Sequence, residues 1–379
     1  MKIKVIVVVL LVVLVGLVLC LCGCTANSSK SFTEYGYFGA LLNVTCFCSQ
    51  EELSSIKKEV LEFLSNLSNK VDESVANSDV ARFNGAKDGD WVEVSQETYA
   101  LNALAREIYL LTDGGYNPCV YYLVDLWGFS ARFSQKNNIS LVYDRVFDTD
   151  GGYPLPDKKY VEAFSSLADF SKVKSRETDG KYYLSKENTL VTVDGVDYYA
   201  KIDLGGIIKG YVVEKVGEIL SNHGIEKGYV SFGNSSVKLL DNGDGKGWDV
   251  KLTNPRHDGD NEAVYCSFKA KNVSVATSGD YERYYFYQGA RYSHIIDARN
   301  GKPIDNGVCS VSLIGLDAVR ADALTTALCV GGIEKIIQFA SGDFAKDNGI
   351  KVIATFIEDD VFKVFSTQEA TILFGEKYE

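Results

Sequence analysis

The chain has 379 residues, 46% of them hydrophobic, 12% aromatic and 24% charged, with a formal net charge of −12. This is an ordinary globular composition, long enough for one large domain or two intimate ones. Setting aside Lys2 and Lys4 of the leader leaves 37 bases against 51 acids, which argues against nonspecific nucleic-acid binding, because neutralising phosphates needs clustered Lys and Arg.

Met1-Lys2-Ile3-Lys4 is followed by an unbroken apolar run over 5–22 and then by Gly23-Cys24-Thr25-Ala26. A short positive segment ahead of an apolar run reads as a secretory signal. Leu21-Cys22-Gly23-Cys24 resembles a bacterial lipobox, whose last cysteine is diacylated and becomes residue one, although Cys22 stands where Ala, Ser or Thr is commoner. The expected division is a signal peptide at 1–23, a lipidated tether at 24–34 and one functional domain at 35–379. An uncleaved anchor is the alternative, since the apolar run nearly spans a bilayer. Either way the body sits at the extracytoplasmic face of the cell membrane. Cys46, Cys48, Cys119, Cys266, Cys309 and Cys329 follow without C-x-x-C spacing. In a chain this large they read as buried free thiols, not as a disulfide framework.

Residues 35–48 alternate and are rich in aromatic and β-branched types, which predicts a strand. Residues 50–69 carry Leu53, Ile56, Val60, Leu61 and Leu64 at helical spacing, and 95–111 repeat the pattern through Leu101, Leu104, Ile108 and Leu111. Residues 134–152 and 169–186 read as loops with short strands. From Glu187 onward strands and helices alternate irregularly between glycine-rich turns, with no internal repeat. The class is α+β, or mixed α/β.

Four stretches could carry chemistry. In Asp203-Leu204-Gly205-Gly206-Ile207-Ile208-Lys209-Gly210, a short apolar strand enters a double glycine and then a helix closed by His223-Gly224. Glycine there lets backbone approach a ligand, and a helix start offers free N–H groups to an anion. A plain turn explains the glycines but not the bracketing Asp203 and Lys209, so a phosphate site and a structural turn both stand. In the helical stretch 320–328, Asp322 and Thr326 lie at i and i+4, a hard-oxygen pair suited to Mg²⁺. A buried Asp–Thr hydrogen bond is the alternative, and Gly331-Gly332 should break that helix. His294 lies in an apolar context near Ser293 and Asp297, as suits a general base tuned by its neighbours or a satisfied core histidine. Residues 112–118, with Asp125-Leu126-Trp127-Gly128-Phe129, pair a glycine turn with aromatics that could wall a planar ring or simply fill the core.

Ser78 with Phe83-Asn84, the two halves of that last stretch, residues 203–210, Thr277-Ser278-Gly279, residues 293–297 and residues 321–327 resemble, in order and spacing, the motifs of the FAD:protein FMN transferase family, the ApbE-type flavin transferase lipoproteins. The resemblance runs from about residue 35 to the C-terminal end. It implies a flavin-transferase-type fold with FAD in a cleft between sheet and helices. It implies FAD contacts at Phe38, Ser74, Gly115, Tyr116, Asn117, Asp203, Lys209 and Ile296. Magnesium ligands would be Asp322, Thr325, Thr326 and the carbonyl of Gly206, with His294 as catalytic base and Cys24 as the lipidated residue. The implied reaction is Mg²⁺-dependent transfer of FMN from FAD to a threonine hydroxyl, releasing AMP. The implied acceptor is a flavoprotein subunit of a membrane electron-transfer complex.

The chain departs from the family pattern in places. Gly233-Asn234 stands where Gly-Gly is usual, Ala298 replaces a proline, Asn117 replaces an aspartate, and Ser74 counts to a position that often carries a tyrosine contacting FAD. The last departure leaves open an FAD pyrophosphatase, giving free FMN and AMP. A flavin-binding lipoprotein without activity is the non-enzymatic alternative, and it gives no reason for Asp322, Thr326 and His294 to occur together.

Overall fold

An edge hairpin opens the computed structural model, which describes residues 28–130, 145–147, 155–259, 262–315 and 317–378. The leader, Cys24 and most of the expected loop at 134–152 lie outside the described residues. Strands β1 (Ser29–Tyr37) and β2 (Ala40–Phe47) pair antiparallel around Phe38-Gly39. Both turn residues have positive φ, 52° and 65°, the turn geometry whose twist matches the flanking strands. A phenylalanine held there costs about 1 kcal/mol, and it fixes Phe38 at the rim of the sheet. This corrects the expectation of one strand over 35–48, and residues 29–33, assigned to the tether, are strand.

The partner of β2 is β3 (Gly228–Phe232), and the chain between them forms helices and short hairpins. The sheet then runs in chain order through β4 (Ser236–Leu239), β5 (Val273–Gly279), β6 (Val308–Ile314), β7 (Lys351–Glu358) and β8 (Val361–Ser366), all antiparallel. A parallel strand, β9 (Glu376–Lys377), ends it. Successive residues of β5 face opposite sides: Ala276 joins the helix-side core, and Val275 joins a second core under the strands Trp248–Thr253 and Val264–Ala270.

Helix α1 (Gln50–Val71) begins at a capping box in which Ser49 and Glu52 each accept the other's backbone N–H. Its buried Leu53, Ile56, Val60, Leu64, Leu67 and Val71 keep helical spacing. Helix α2 (Asp79–Gly85) and α3 (Gln96–Leu111) follow, capped by Ser78 and Ser95. Leu111, expected in the apolar stripe of α3, is exposed. After α4 (Tyr121–Leu126) and α5 (Lys158–Leu167), the expected loop at 169–186 is largely a hairpin of Val173–Thr178 and Lys181–Lys186. The six cysteines after the leader are buried and free; Cys46 and Cys48 bring their sulfurs to 3.4 Å, and burial pushes the Cys46 thiol up to about 12.

Helices α6 (Gly205–Asn222) and α7 (Ala318–Ser341) pack on each other and lie across the middle of the sheet. Gly210 permits their approach, because a Cβ there would stand 2.1 Å from the Ala318 carbonyl oxygen and 2.9 Å from Asp322 Cβ. The helical path of α7 breaks at Gly332, as expected, with φ 82°. The Asn306 amide donates to the carbonyls of Cys329 and Val330, just before the break, at 2.9 and 3.3 Å.

Gly210→Ala should therefore push α6 from α7 at a cost of about 3 kcal/mol, as overpacking does at a rigid contact. Thermal melting by circular dichroism checks this, and a variant that melts like the parent would show that the helices tolerate the methyl group.

Candidate active site

The site begins where the chain turns into α6. The Pro118 carbonyl accepts the Asp203 N–H at 2.8 Å, and Asp203 Oδ1 accepts the Gly205 N–H at 2.7 Å. That second bond caps the start of α6, where the first helical N–H groups lack intrahelical partners. Tyr116 lies against this start. Its Cε2 is 3.1 Å from where a Cβ on Gly206 would be, so the ring requires glycine there. Gly115 is pressed on α7 in the same way, with the Ala327 carbonyl 3.2 Å from its would-be Cβ. The Tyr116 ring is buried and its hydroxyl has no hydrogen-bond partner among the described residues. Burial, then the charges of Asp322 and Asp203, push this phenol well above its usual range and keep it neutral.

Asp322 is buried on the face of α7 that meets α6. Its Oδ2 accepts the Gly210 N–H at 3.0 Å; its Oδ1 accepts the Ser236 hydroxyl at 3.1 Å and faces Lys209 Nζ at 3.4 Å. The helix ladder would aim the Gly210 N–H at the Gly206 carbonyl, so that carbonyl and the Asp322 carboxylate converge on one donor. Thr325 and Thr326 donate to the Asp322 backbone carbonyl at 2.9 and 3.4 Å, and Ser278 Oγ lies 2.9 and 3.1 Å from their hydroxyls. The expected Asp322–Thr326 pairing thus runs through the backbone, while the carboxylate is turned toward α6 and β4. Lys209 is enclosed from the far side: its Cδ is 3.1 Å, and Ala40 Cβ 3.5 Å, from a would-be Cβ on Gly233. The hairpin that carries Phe38 therefore closes on the same lysine.

His294 follows the strand Ala290–Ser293. Its N–H donates to the Arg283 carbonyl at 2.9 Å, and Nδ1 lies 3.3 Å from that same oxygen. The second bond needs a proton on Nδ1, which leaves the lone pair on Nε2, the tautomer a base requires. Phe129 meets the ring edge-on, with centroids 6.4 Å apart. Enclosure by protein, then the positive charges of Arg283 and Lys209, hold the imidazole well below its ordinary range, while the residue keeps partial solvent access. Asp297, expected to help tune it, is instead held by Arg299 through the backbone N–H at 2.9 Å, and Nε and Nη2 at 2.8 Å each. No carboxylate pairs with His294 among the described residues.

Three other expected contacts stand differently. Ser74 directs its N–H and hydroxyl to Asp72 Oδ1, at 2.9 and 2.6 Å, in an exposed turn. Asn117 is a structural cap whose amide donates to the Ala168 carbonyl at 2.6 Å and accepts the Cys119 N–H at 2.9 Å. Ile296 is buried and opposes Pro303 in a short antiparallel pairing whose other pair is Asp297 and Lys302. Sequence reading missed Ser236, an isolated serine without a local signal, and Glu282 and Arg283. The last two lie three and four residues beyond Thr277-Ser278-Gly279, and that proximity was their only signal. Burial raises Glu282, against the nearby charges of Lys209 and Arg283.

The model of the ApbE family matches residues 38–353. The chain belongs to the ApbE family. An FAD:protein FMN transferase of Klebsiella pneumoniae is 30% identical over 79% of this chain and 77% of its own length. One of Vibrio cholerae is 28% identical over 83% of each chain. The flavin transferase ApbE structure from Vibrio cholerae superposes with a TM-score of 0.72 at 26% identity, covering 90% of this chain and 97% of that one. The mixed α+β architecture is thus that of ApbE flavin transferases.

The donor set of this ApbE-family site suits a hard divalent cation held jointly with a substrate. The described residues contain no group of three or more His, Cys, Asp or Glu side chains that could cage a metal alone. Mg²⁺ is commonly held by one or two carboxylates with waters and substrate phosphates. Asp322 has about four acceptor positions, and Gly210, Ser236 and Lys209 occupy three directions around it. That leaves acceptor capacity on the carboxylate, while the hydroxyls of Thr325 and Thr326 gather at the Asp322 backbone carbonyl of the same turn.

Proposed function

We propose that this chain transfers FMN from FAD to a threonine hydroxyl of a partner flavoprotein, in a Mg²⁺-dependent reaction at the outer face of the membrane. The carrying observation is the convergence of Asp322, the α6 start and Lys209, with His294 within the field of the same lysine. The family membership and the relatives named as FAD:protein FMN transferases support it.

In this reading the pyrophosphate of FAD lies at the α6 start, a setting that favours anions. Lys209 supplies a cation between Asp322 and the phosphates, and Asp203 keeps the helix start in place. Bound Mg²⁺, held by Asp322, Thr325, Thr326 and the Gly206 carbonyl, would neutralise the pyrophosphate and the charge developing on the AMP leaving group. The acceptor threonine oxygen bonds to the phosphorus on the riboflavin side, and the bond from that phosphorus to the AMP oxygen breaks. The hydroxyl proton passes to His294 Nε2. The acceptor is a flavoprotein subunit of a membrane electron-transfer complex, and lipid on Cys24 tethers the enzyme beside it. Cys24→Ser should remain as unlipidated precursor on palmitate labelling; normal labelling would reject the anchor.

Incubation with FAD, Mg²⁺ and a candidate acceptor, followed by in-gel flavin fluorescence and an assay of free FMN, tests the reaction. Free FMN without acceptor labelling would make the chain a pyrophosphatase. Asp322→Ala should lose Mg²⁺-dependent turnover while staying folded, whereas Thr326→Ala should lose less, since water can replace a neutral ligand. Unchanged turnover of Asp322→Ala in EDTA would remove the metal from the reaction.

His294→Asn should bind FAD within a few-fold of the parent and transfer flavin roughly 10²-fold or more slowly. Because the imidazole is held below its usual range, it stays neutral, and competent as a base, as pH falls through the range where an ordinary histidine charges. The acid limb of kcat/KM should accordingly lie below that of a free imidazole. Parental transfer rates for His294→Asn, or joint loss of FAD binding and thermal stability, would end its assignment as the base.

A further inference from the structure

Lys186 ends the strand Lys181–Lys186, outside every motif that pointed to function. It is 1% exposed. No carboxylate pairs with it among the described residues; Asp88 and Asp90 act on it only through space. Its Nζ donates to the carbonyls of Phe83 and Ala200 at 3.1 and 2.7 Å and sits 4.8 Å from the Phe83 ring centre. A buried ammonium without an ion-pair partner destabilises a fold, and burial lowers this one to about 8. A methionine would fill the same space without that cost.

The segment 200–203, which leads into Gly205-Gly206, belongs to no strand, so its backbone groups need other partners. The Ala200 N–H donates to Thr189 Oγ1 at 3.1 Å, and the Ala200 carbonyl accepts from Lys186. The Ile202 N–H and carbonyl both bond the Asn84 amide, at 2.8 and 2.9 Å. The Asp203 N–H goes to Pro118. Lys186 also holds the carbonyl of Phe83, the residue before Asn84. It therefore bridges the end of α2 and the segment, with one bond to each. Asp203, the last residue of the segment, accepts the first N–H of the helix that carries Lys209 and Gly210.

We propose that Lys186 is a positioning residue: it clamps the segment 200–203 so that the start of α6 is preset for the phosphates of FAD. This rests on reading that start as the FAD site. Lys186 is too buried to touch the substrate, so its effect must reach FAD through the segment. A charge in a place that breaks the usual burial rule is expected where function needs its geometry.

The test compares Lys186→Met with Lys186→Arg in the full chain, by thermal melting, amide hydrogen exchange and FAD titration by flavin fluorescence. In Lys186→Met, melting should hold or rise, exchange should quicken at least tenfold in residues 200–208 while α3 is unchanged, and the Kd for FAD should rise at least tenfold. Lys186→Arg, which keeps donors and charge, should recover part of both. Parental exchange over 200–208, or losses of melting temperature, α3 protection and affinity together, would overturn the proposal, the second outcome marking an ordinary core residue. If Lys186→Met does not fold, the same criteria apply to Lys186→Gln. If the parent itself does not bind FAD, the functional reading fails, and the exchange comparison alone still decides whether Lys186 clamps the segment.

Discussion

The site depends on one contact, the Asp322 carboxylate against the Gly210 N–H. It exists only because two helices approach until no side chain fits between them, with 2.1 Å left for a Cβ at Gly210. That approach lets a carboxylate of α7 reach a donor inside the first turns of α6, and it swings Lys209 over the other carboxylate oxygen. Ser236 of β4 completes the set, so both helices and the sheet are registered on a single side chain. Charge-assisted hydrogen bonds of this kind are stronger than neutral ones, and removal of a partner would leave a buried charge partly uncompensated. The binding groups thus inherit the rigidity of the core.

The same close packing explains how a chain of net charge −12 keeps a local positive field around Lys209 and Arg283. Net charge governs long-range behaviour, which salt screens within about 10 Å; a partly enclosed lysine acts on its neighbours at shorter range. Lys209 and Arg283 both depress His294, and both counter the upward shift that burial imposes on Glu282. A local positive field of this kind can stand on an acidic protein, because it is set by nearby charges and not by the net charge.

Much of this was legible in the sequence wherever the signal was local. The helical stripe of α1, the glycine entry to α6, its His223 cap and the break at Gly332 are each written within a few residues. What escaped depends on competition or on distance. The turn at Phe38-Gly39 was hidden because phenylalanine disfavours positive φ, so alternation read straight across it. Asp297 was placed beside His294 by proximity in sequence, but a guanidinium two residues away claims a carboxylate before any partner across the fold. The structural side of Asn117 also went unread: an asparagine before a tight turn readily serves its own backbone, as its bond from the Cys119 N–H shows. Ser236 and Lys186 are an ordinary serine and an ordinary lysine until pairing of distant segments gives them partners.

The depressed imidazole raises a question of chemistry, since a weaker base accepts protons less readily. The transfer proposed here asks two things of its base, strength enough to take a hydroxyl proton and a free lone pair at working pH. A stronger base would hold its own proton at that pH, and a charged imidazole offers no lone pair. Some strength is given up for a lone pair that is always present. The arrangement around His294 meets that demand: the Arg283 carbonyl fixes the Nδ1–H tautomer, and burial, then the charges of Arg283 and Lys209, keep Nε2 unprotonated. In the proposed reaction Lys209 serves twice, as a charge that keeps the imidazole neutral and as a cation for the phosphates, and a carboxylate behind the imidazole would work against the first role.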